Sequence, residues 1–344
     1  MTPASPRSNT AFKDRQAQKI LVFLCIFMLF FAFLSVTLGS YPITLSDVVT
    51  SFNSGDDKDI LHTIIYDIRL PRIMLAVLSG MAMALSGVVL QDLTRNSLAA
   101  PGLVGVEAGA GTAVLLAMIV WRSALTVDFY PVAAFVGGVA VALLIAVLSW
   151  NKGVDPLRLI LVGVGISAIL GAVSDTMITY GRIDQVESAL LWLAGSLHNA
   201  GWTNVRGQFV WLAISGIPIL LLYRHFDLFQ LGEDVAGSRG LDVGRFQLVG
   251  LLLSVMLTAS AVANVGTMSF IGLIAPHASR MLVGDRHRFL LPLTALVGAC
   301  IVLVGDTIGR TLFAPLQIPA GLVVAVISAP YLLFLLLRRG HNIS

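Results

Sequence analysis

Charge is scarce in this chain. Only 12% of its 344 residues are Asp, Glu, Lys or Arg, while 57% are hydrophobic. A soluble domain carries about twice that share of charge, and a single soluble core stops growing at roughly 250–300 residues. A soluble enzyme is therefore excluded. Cysteine is scarcer still. Cys25 and Cys300 both lie in apolar runs, so there is no disulfide framework and no metal-ligand spacing. The phosphate-cradling GxxxxGK[ST] loop is missing, as are HExxH, GxSxG and CxxC. The chain is thus no ATPase, and ATP-driven transport would need the ATPase on another chain. A porin-like barrel is excluded as well. Runs 132–148 and 322–337 are unbroken apolar stretches, where a barrel strand alternates. The formal charge of +3 implies no nucleic-acid partner, because in a membrane protein a small positive excess reflects its loops.

What is present is apolar length. A spanning helix needs roughly 20 apolar residues. Candidates are 20–38, 71–90, 103–121, 131–150, 158–180, 205–223, 246–265, 289–312 and 319–337. A shorter run, 269–283, contains Pro276, His277 and Arg280 and is ambiguous between a short span and a re-entrant element. Counted as a span, it gives ten helices with both termini on one side. With the termini in the cytoplasm, 15 of the 22 basic residues fall on the inside, as the positive-inside rule requires. The 32 glycines suit close helix packing in lipid. The expected organisation is a polar tail over 1–18, one transmembrane domain over 19–338, and a short tail over 339–344.

Two polar stretches exceed ordinary turns. Residues 39–68 lie outside and hold Asp56, Asp57 and Asp59. Residues 224–245 lie inside, with Leu228, Leu231, Val235 and Leu241 spaced for short amphipathic helices and Gly232, Gly237 and Gly240 between them. Such a loop either docks a soluble partner or folds back onto its own helix ends. Charged groups inside a bilayer are functional candidates by default. Glu107, Asp175 and Asp306 qualify, with Asp306 spaced to pair with Arg310 four residues on. Arg69 and Arg72 flank Pro71 at an outer helix mouth, against the positive-inside trend. They suit an anionic substrate, acidic groups of a partner, or snorkelling to lipid phosphates.

Several segments form an ordered set. Arg69-Leu-Pro-Arg72 is followed by Ser86-Gly87, Gln91, and Thr94-Arg95-Asn96-Ser97-Leu98-Ala99-Ala100-Pro101-Gly102. Then come Gly195-Ser196-Leu197, Leu231-Gly232-Glu233 with Ala236 and Leu241, and Ser269-Phe-Ile-Gly-Leu-Ile-Ala-Pro-His277. Asp306-Thr307, Arg310, Ile318-Pro-Ala-Gly321 and Ala329-Pro330 complete it. This set resembles the FecCD-type permeases, the membrane subunits of ABC importers for ferric siderophores, haem and cobalamin. Departures are Ser97 in place of a usual proline, Gln317 in place of a frequent glutamate, Thr267 to Ser269 where a glycine is common, and Glu107 where a small residue is usual.

The resemblance implies an all-α polytopic membrane protein with ten transmembrane helices, the type II ABC importer permease fold. It implies a second permease subunit, identical or homologous, two ATPase subunits on the cytoplasmic face, and an extracytoplasmic substrate-binding protein. The chain itself binds no cofactor, and ATP and Mg belong to the ATPase subunits. By resemblance, the 224–245 loop is the ATPase coupling region, through Leu231, Gly232, Glu233, Ala236, Gly240 and Leu241. Arg69, Arg72 and Arg310 are the expected docking residues for the binding protein. Gln91, Asn96, Glu107 and Asp175 are the pathway candidates. The expected place is the bacterial inner membrane, and the expected cargo a ferric siderophore. Haem or cobalamin import is the alternative within the family, and an ion-coupled secondary carrier the alternative outside it.

Overall fold

The computed structural model describes residues 6–39, 41, 43–44, 46–48, 60–120, 129–150, 153 and 155–340. Asp56, Asp57, Lys58, Asp59, Arg122 and Lys152 lie outside these described residues. Apart from an isolated bridge at Trp150, the described residues form helices and the segments that connect them. The helices are α1 (Pro6–Thr37), α2 (Ile60–Leu93), α3 (Val106–Val120), α4 (Tyr130–Leu148), α5 (Pro156–Tyr180), α6 (Ile183–Leu193) and α7 (Trp202–Leu221). They continue with α8 (Tyr223–Phe229), α9 (Glu233–Ser238), α10 (Val243–Val265), α11 (Ile271–Val283), α12 (His287–Thr311) and α13 (Ala320–Gly340). Among the described residues, seven helices are long and apolar enough to cross a membrane: α1, α2, α4, α5, α7, α10 and α12. Shorter apolar helices at α3, α11 and α13 bring the set to the ten expected.

The boundaries differ from the sequence expectation in informative ways. The polar segment before residue 19 is helical from Pro6 onward. The second helix begins at Ile60, inside the stretch expected to be a polar outer loop. Its first turns, Thr63–Arg69, are a π-helix that ends two residues before Pro71. A second π-helix, Leu212–Gly216, ends two residues before Pro218. A proline lacks an N–H and crowds the carbonyl four residues back, and the wider π turn relieves both conflicts. That is why neither proline breaks its helix. The short α6 was not expected at all. It has acidic Asp184 in its first turn and only Ala189 buried.

α2 is the centre of the bundle, with 83% of its apolar window buried. It packs on α12, α10 and α11. Lipid offers no hydrophobic drive for helices to associate, so close backbone contact must supply it. Gly80 of α2 faces Gly298 of α12 so tightly that a Cβ on either would overlap the other's backbone. A Cβ on Gly87 would likewise overlap the backbone of Gly272 of α11, and one on Gly272 would press on Pro101. By contrast only 11% of the α1 and α5 windows is buried.

α11 fills most of the run 269–283 as a short helix of the bundle. It is 13 residues, about 20 Å at 1.5 Å per residue, too short for a full hydrocarbon core of about 30 Å. The turn that precedes it is held deep in the bundle by neighbouring irregular backbone. Ser196 N donates to Val265 O at 2.8 Å, Gly321 N donates to Gly195 O at 2.9 Å, and Thr267 Oγ1 donates to Leu193 O at 2.5 Å. Irregular backbone at membrane depth is tolerated where protein satisfies it, as here.

Candidate functional site

The buried charged side chains lie at the two ends of the bundle. α2 carries both clusters, Arg69 and Arg72 near one end and Gln91 and Asp92 at the other, roughly 30 Å apart by helix rise.

At the first end, Arg72 forms a bidentate pair with Asp306 of α12. Its Nε donates to both carboxylate oxygens at 3.0 Å and a terminal nitrogen donates at 2.8 Å. Its other terminal nitrogen donates to Gln317 Oε1 at 2.8 Å, and Gln317 also meets His198 Nδ1 at 3.2 Å. Arg310, one turn beyond Asp306, donates to Leu38 O at 2.6 Å and also to the carbonyl of Ser35. Arg69 donates to Thr37 O at 3.2 Å, to Tyr41 O at 2.5 Å, and to the carbonyl of Val36. The last carbonyls of a helix have no partner within it. Arg69 and Arg310 therefore cap α1 and pin its end to α2 and α12. Gly39 makes room, because a Cβ there would sit 2.8 Å from the Arg69 guanidinium. All three arginines are less than 10% exposed. Their guanidinium groups face inward to partners in the same chain.

At the opposite end, the 224–245 stretch folds as α8 and α9. Phe226, Phe229 and Ala236 are buried against the bundle, and Leu241 closes the turn by donating its N–H to Ala236 O at 3.0 Å. Gly232 and Gly240 both hold positive φ, +115° and +88°, which a side chain would resist. Glu233 pairs with Arg95 at 3.5 Å, and the Arg95 guanidinium lies 5.2 Å over the Phe229 ring. Leu231 and Val235 remain on the outer side, exposed. One side of the loop is thus folded back onto the bundle and the other is exposed.

Beneath this loop lies a cluster that sequence reasoning missed. Asp92 accepts from Arg280 at 2.9 Å and faces His287 Nε2 at 2.7 Å. The other ring nitrogen of His287 lies 2.8 Å from Asp227 of α8. Asp227 also accepts the backbone N–H of His287 at 3.0 Å. Arg280 reaches Gln91 and, at 3.5 Å, Asp285.

The pathway candidates are scattered. Gln91 is buried in the cluster just described, and its amide lies 3.4–3.5 Å from the Leu273 and Gly272 carbonyls of α11. Asn96 accepts from Leu98 N at 2.9 Å and shapes the turn after α2. Glu107 stands in the first turn of α3, close to Gly102. Asp175 is exposed on α5. The structure does not bring these four together.

Known proteins fit this architecture. The profile of the FecCD transport family matches residues 26–338. The chain belongs to the FecCD transport family. It is 37% identical over 329 residues to the iron(3+)-hydroxamate import system permease protein FhuG of Bacillus subtilis (strain 168), covering 93% of this chain and 96% of that one. It is 38% identical over 333 residues to the hemin transport system permease protein HmuU of Yersinia pestis, covering 96% and 98%. A solved chain of metal-chelate ABC transporter type, in an inward-facing conformation, superposes with a TM-score of 0.83 at 30% identity, covering 93% of this chain and 99% of that one. This FecCD-family chain is therefore a multi-pass permease subunit of a bacterial ABC importer. ATP binding resides in its partner ATPase, and a binding protein supplies its cargo.

Proposed function

We propose that this permease carries an iron(III)–siderophore across the bacterial inner membrane, with both termini in the cytoplasm. Two permease subunits enclose the path, and two ATPase subunits with bound ATP and Mg seat against the cytoplasmic end. That end is the one bearing α8 and α9. The observation that carries this reading is the divided loop. One side is anchored on buried Phe226 and Phe229, and the other presents exposed Leu231 and Val235 to a partner. Glu233, held by Arg95, fixes how α9 is presented. The siderophore assignment is supported by relatives named for hydroxamate, citrate and other iron(III) chelates. Haem remains the second reading because HmuU is similarly related.

The binding protein docks at the opposite end. Within the buried cluster there, three arginines, Arg69, Arg72 and Arg310, surround one carboxylate, Asp306. Being buried, they act through field and through the shape of the helix ends rather than by open ion pairs. Glu107 and Asp175 are proposed to border the path, and Gln91 and Asn96 its inner exit.

The deciding experiment is uptake into vesicles holding the full complex. ATP-dependent uptake of an iron(III)–hydroxamate siderophore is expected, insensitive to protonophores. Uptake of haem alone would move the cargo to the second reading. Uptake driven by an ion gradient without ATP would overturn the importer mechanism.

A further inference from the structure

His287 is fully buried, yet both of its ring nitrogens point at carboxylates. A neutral imidazole donates from only one nitrogen. Two ionised carboxylates at 2.7 and 2.8 Å are satisfied together only by the doubly protonated ring. The groups facing it are Asp92 from α2, Asp227 from α8, and the Phe226 ring at 5.3 Å. Arg280 from α11 shares Asp92 with it.

Each member of the bridge sits at the wrong end of its own helix. A carboxylate in the last turn of α2 and a cation at the first residue of α12 both oppose the helix dipoles. Neither position is favourable alone. Together they cancel, so the contact is worth more than either residue's own site. Asp227 adds a second attachment. Its Oδ1 caps the backbone N–H at the start of α12, although it belongs to a different helix. α8 is thereby bonded to the first residue of α12, and through the same imidazole to the last turn of α2.

We infer that the Asp92–His287–Asp227 bridge carries movement of the 224–245 loop into α2 and α12, with His287 as its positioning residue. This rests on the reading of that loop as the ATPase contact. Without the bridge, α8 meets the long helices mainly through packed aromatic rings, which can slide. With it, α8 is tied in register by directional, charge-assisted bonds. Arg280 extends the same tie to α11 through Asp92.

The test uses the complete permease–ATPase complex in lipid nanodiscs, so it needs no cargo. Hydrogen exchange is followed at 231–241 and at 285–292, with and without a non-hydrolysable ATP analogue. In the wild type, nucleotide is expected to change both regions. Asp227→Ala, at a half-buried side chain, should leave the loop response intact and reduce the α12 response roughly fivefold. Asp227→Asn keeps an acceptor for the His287 N–H and should recover part of it. His287→Gln should match Asp227→Ala. An undiminished α12 response in Asp227→Ala overturns the bridge. If the loop itself fails to respond in the wild type, the coupling-loop reading falls first and the bridge with it. The two failures are thus separable.

Discussion

Arg72 shows how a charge is kept inside an apolar bundle. Its guanidinium fork matches the Asp306 carboxylate, and Gln317 takes a remaining donor. Removing one partner of such a pair strands the other. Arg72→Ala is expected to lower stability by about 3–5 kcal/mol, read as a loss of unfolding midpoint in detergent. Arg72→Met combined with Asp306→Leu should recover most of it, since two apolar groups leave nothing unpaired. If the double variant is no better than the single one, the pair is not what the site depends on. The i,i+4 spacing of Asp306 and Arg310 is visible in the sequence, but it names the lesser contact. Arg310 Nε stands 3.8 Å from Asp306, while the close partner of Asp306 is Arg72, over two hundred residues away in the chain. The same distance hid the Asp92–His287–Asp227 cluster. Asp92 falls two residues past an apolar run and His287 two residues before another. Residues so placed look like ordinary loop charges. The available signal was a carboxylate at a helix C-terminus, where the dipole disfavours it.

At the scale of elements, the long apolar runs settled where most spans lie, because twenty apolar residues have few other uses. α4, α5, α10 and α12 begin and end within a few residues of those runs. Where apolarity is not the criterion, the sequence was silent. The π-helical segment of α2 and the short α6 depend on backbone geometry and on neighbours. The contact between α2 and α12 depends on two glycines far apart in sequence. Gly298→Leu should therefore disrupt assembly, seen as aggregation during purification, while Leu at open Gly171 should not. Equal behaviour of the two variants would contradict the packing argument. For the loop, Leu231→Glu with Val235→Glu is expected to prevent co-purification of the ATPase and leave the permease folded. Gly232→Pro should also uncouple or disassemble the complex, because Gly232 holds a φ closed to proline. A complex that stays intact and transports in both variants would refute the loop assignment.

At the scale of the whole molecule, the uneven burial of its helices calls for a partner. α5 is largely uncovered and carries Asp175 and Thr179 among its exposed residues, a poor surface for lipid alone. The purified permease is expected to run as a two-permease assembly by light scattering in detergent. A monomer at every concentration would contradict the proposed pairing. One further consequence follows from α2 running unbroken from the arginine cluster to Asp92. Partners at its two ends cannot be thermodynamically independent if each shifts that helix. Whatever factor ATP-loaded ATPase contributes to the affinity for binding protein, binding protein must return to the affinity for nucleotide. Two titrations, one at each end, should yield the same number.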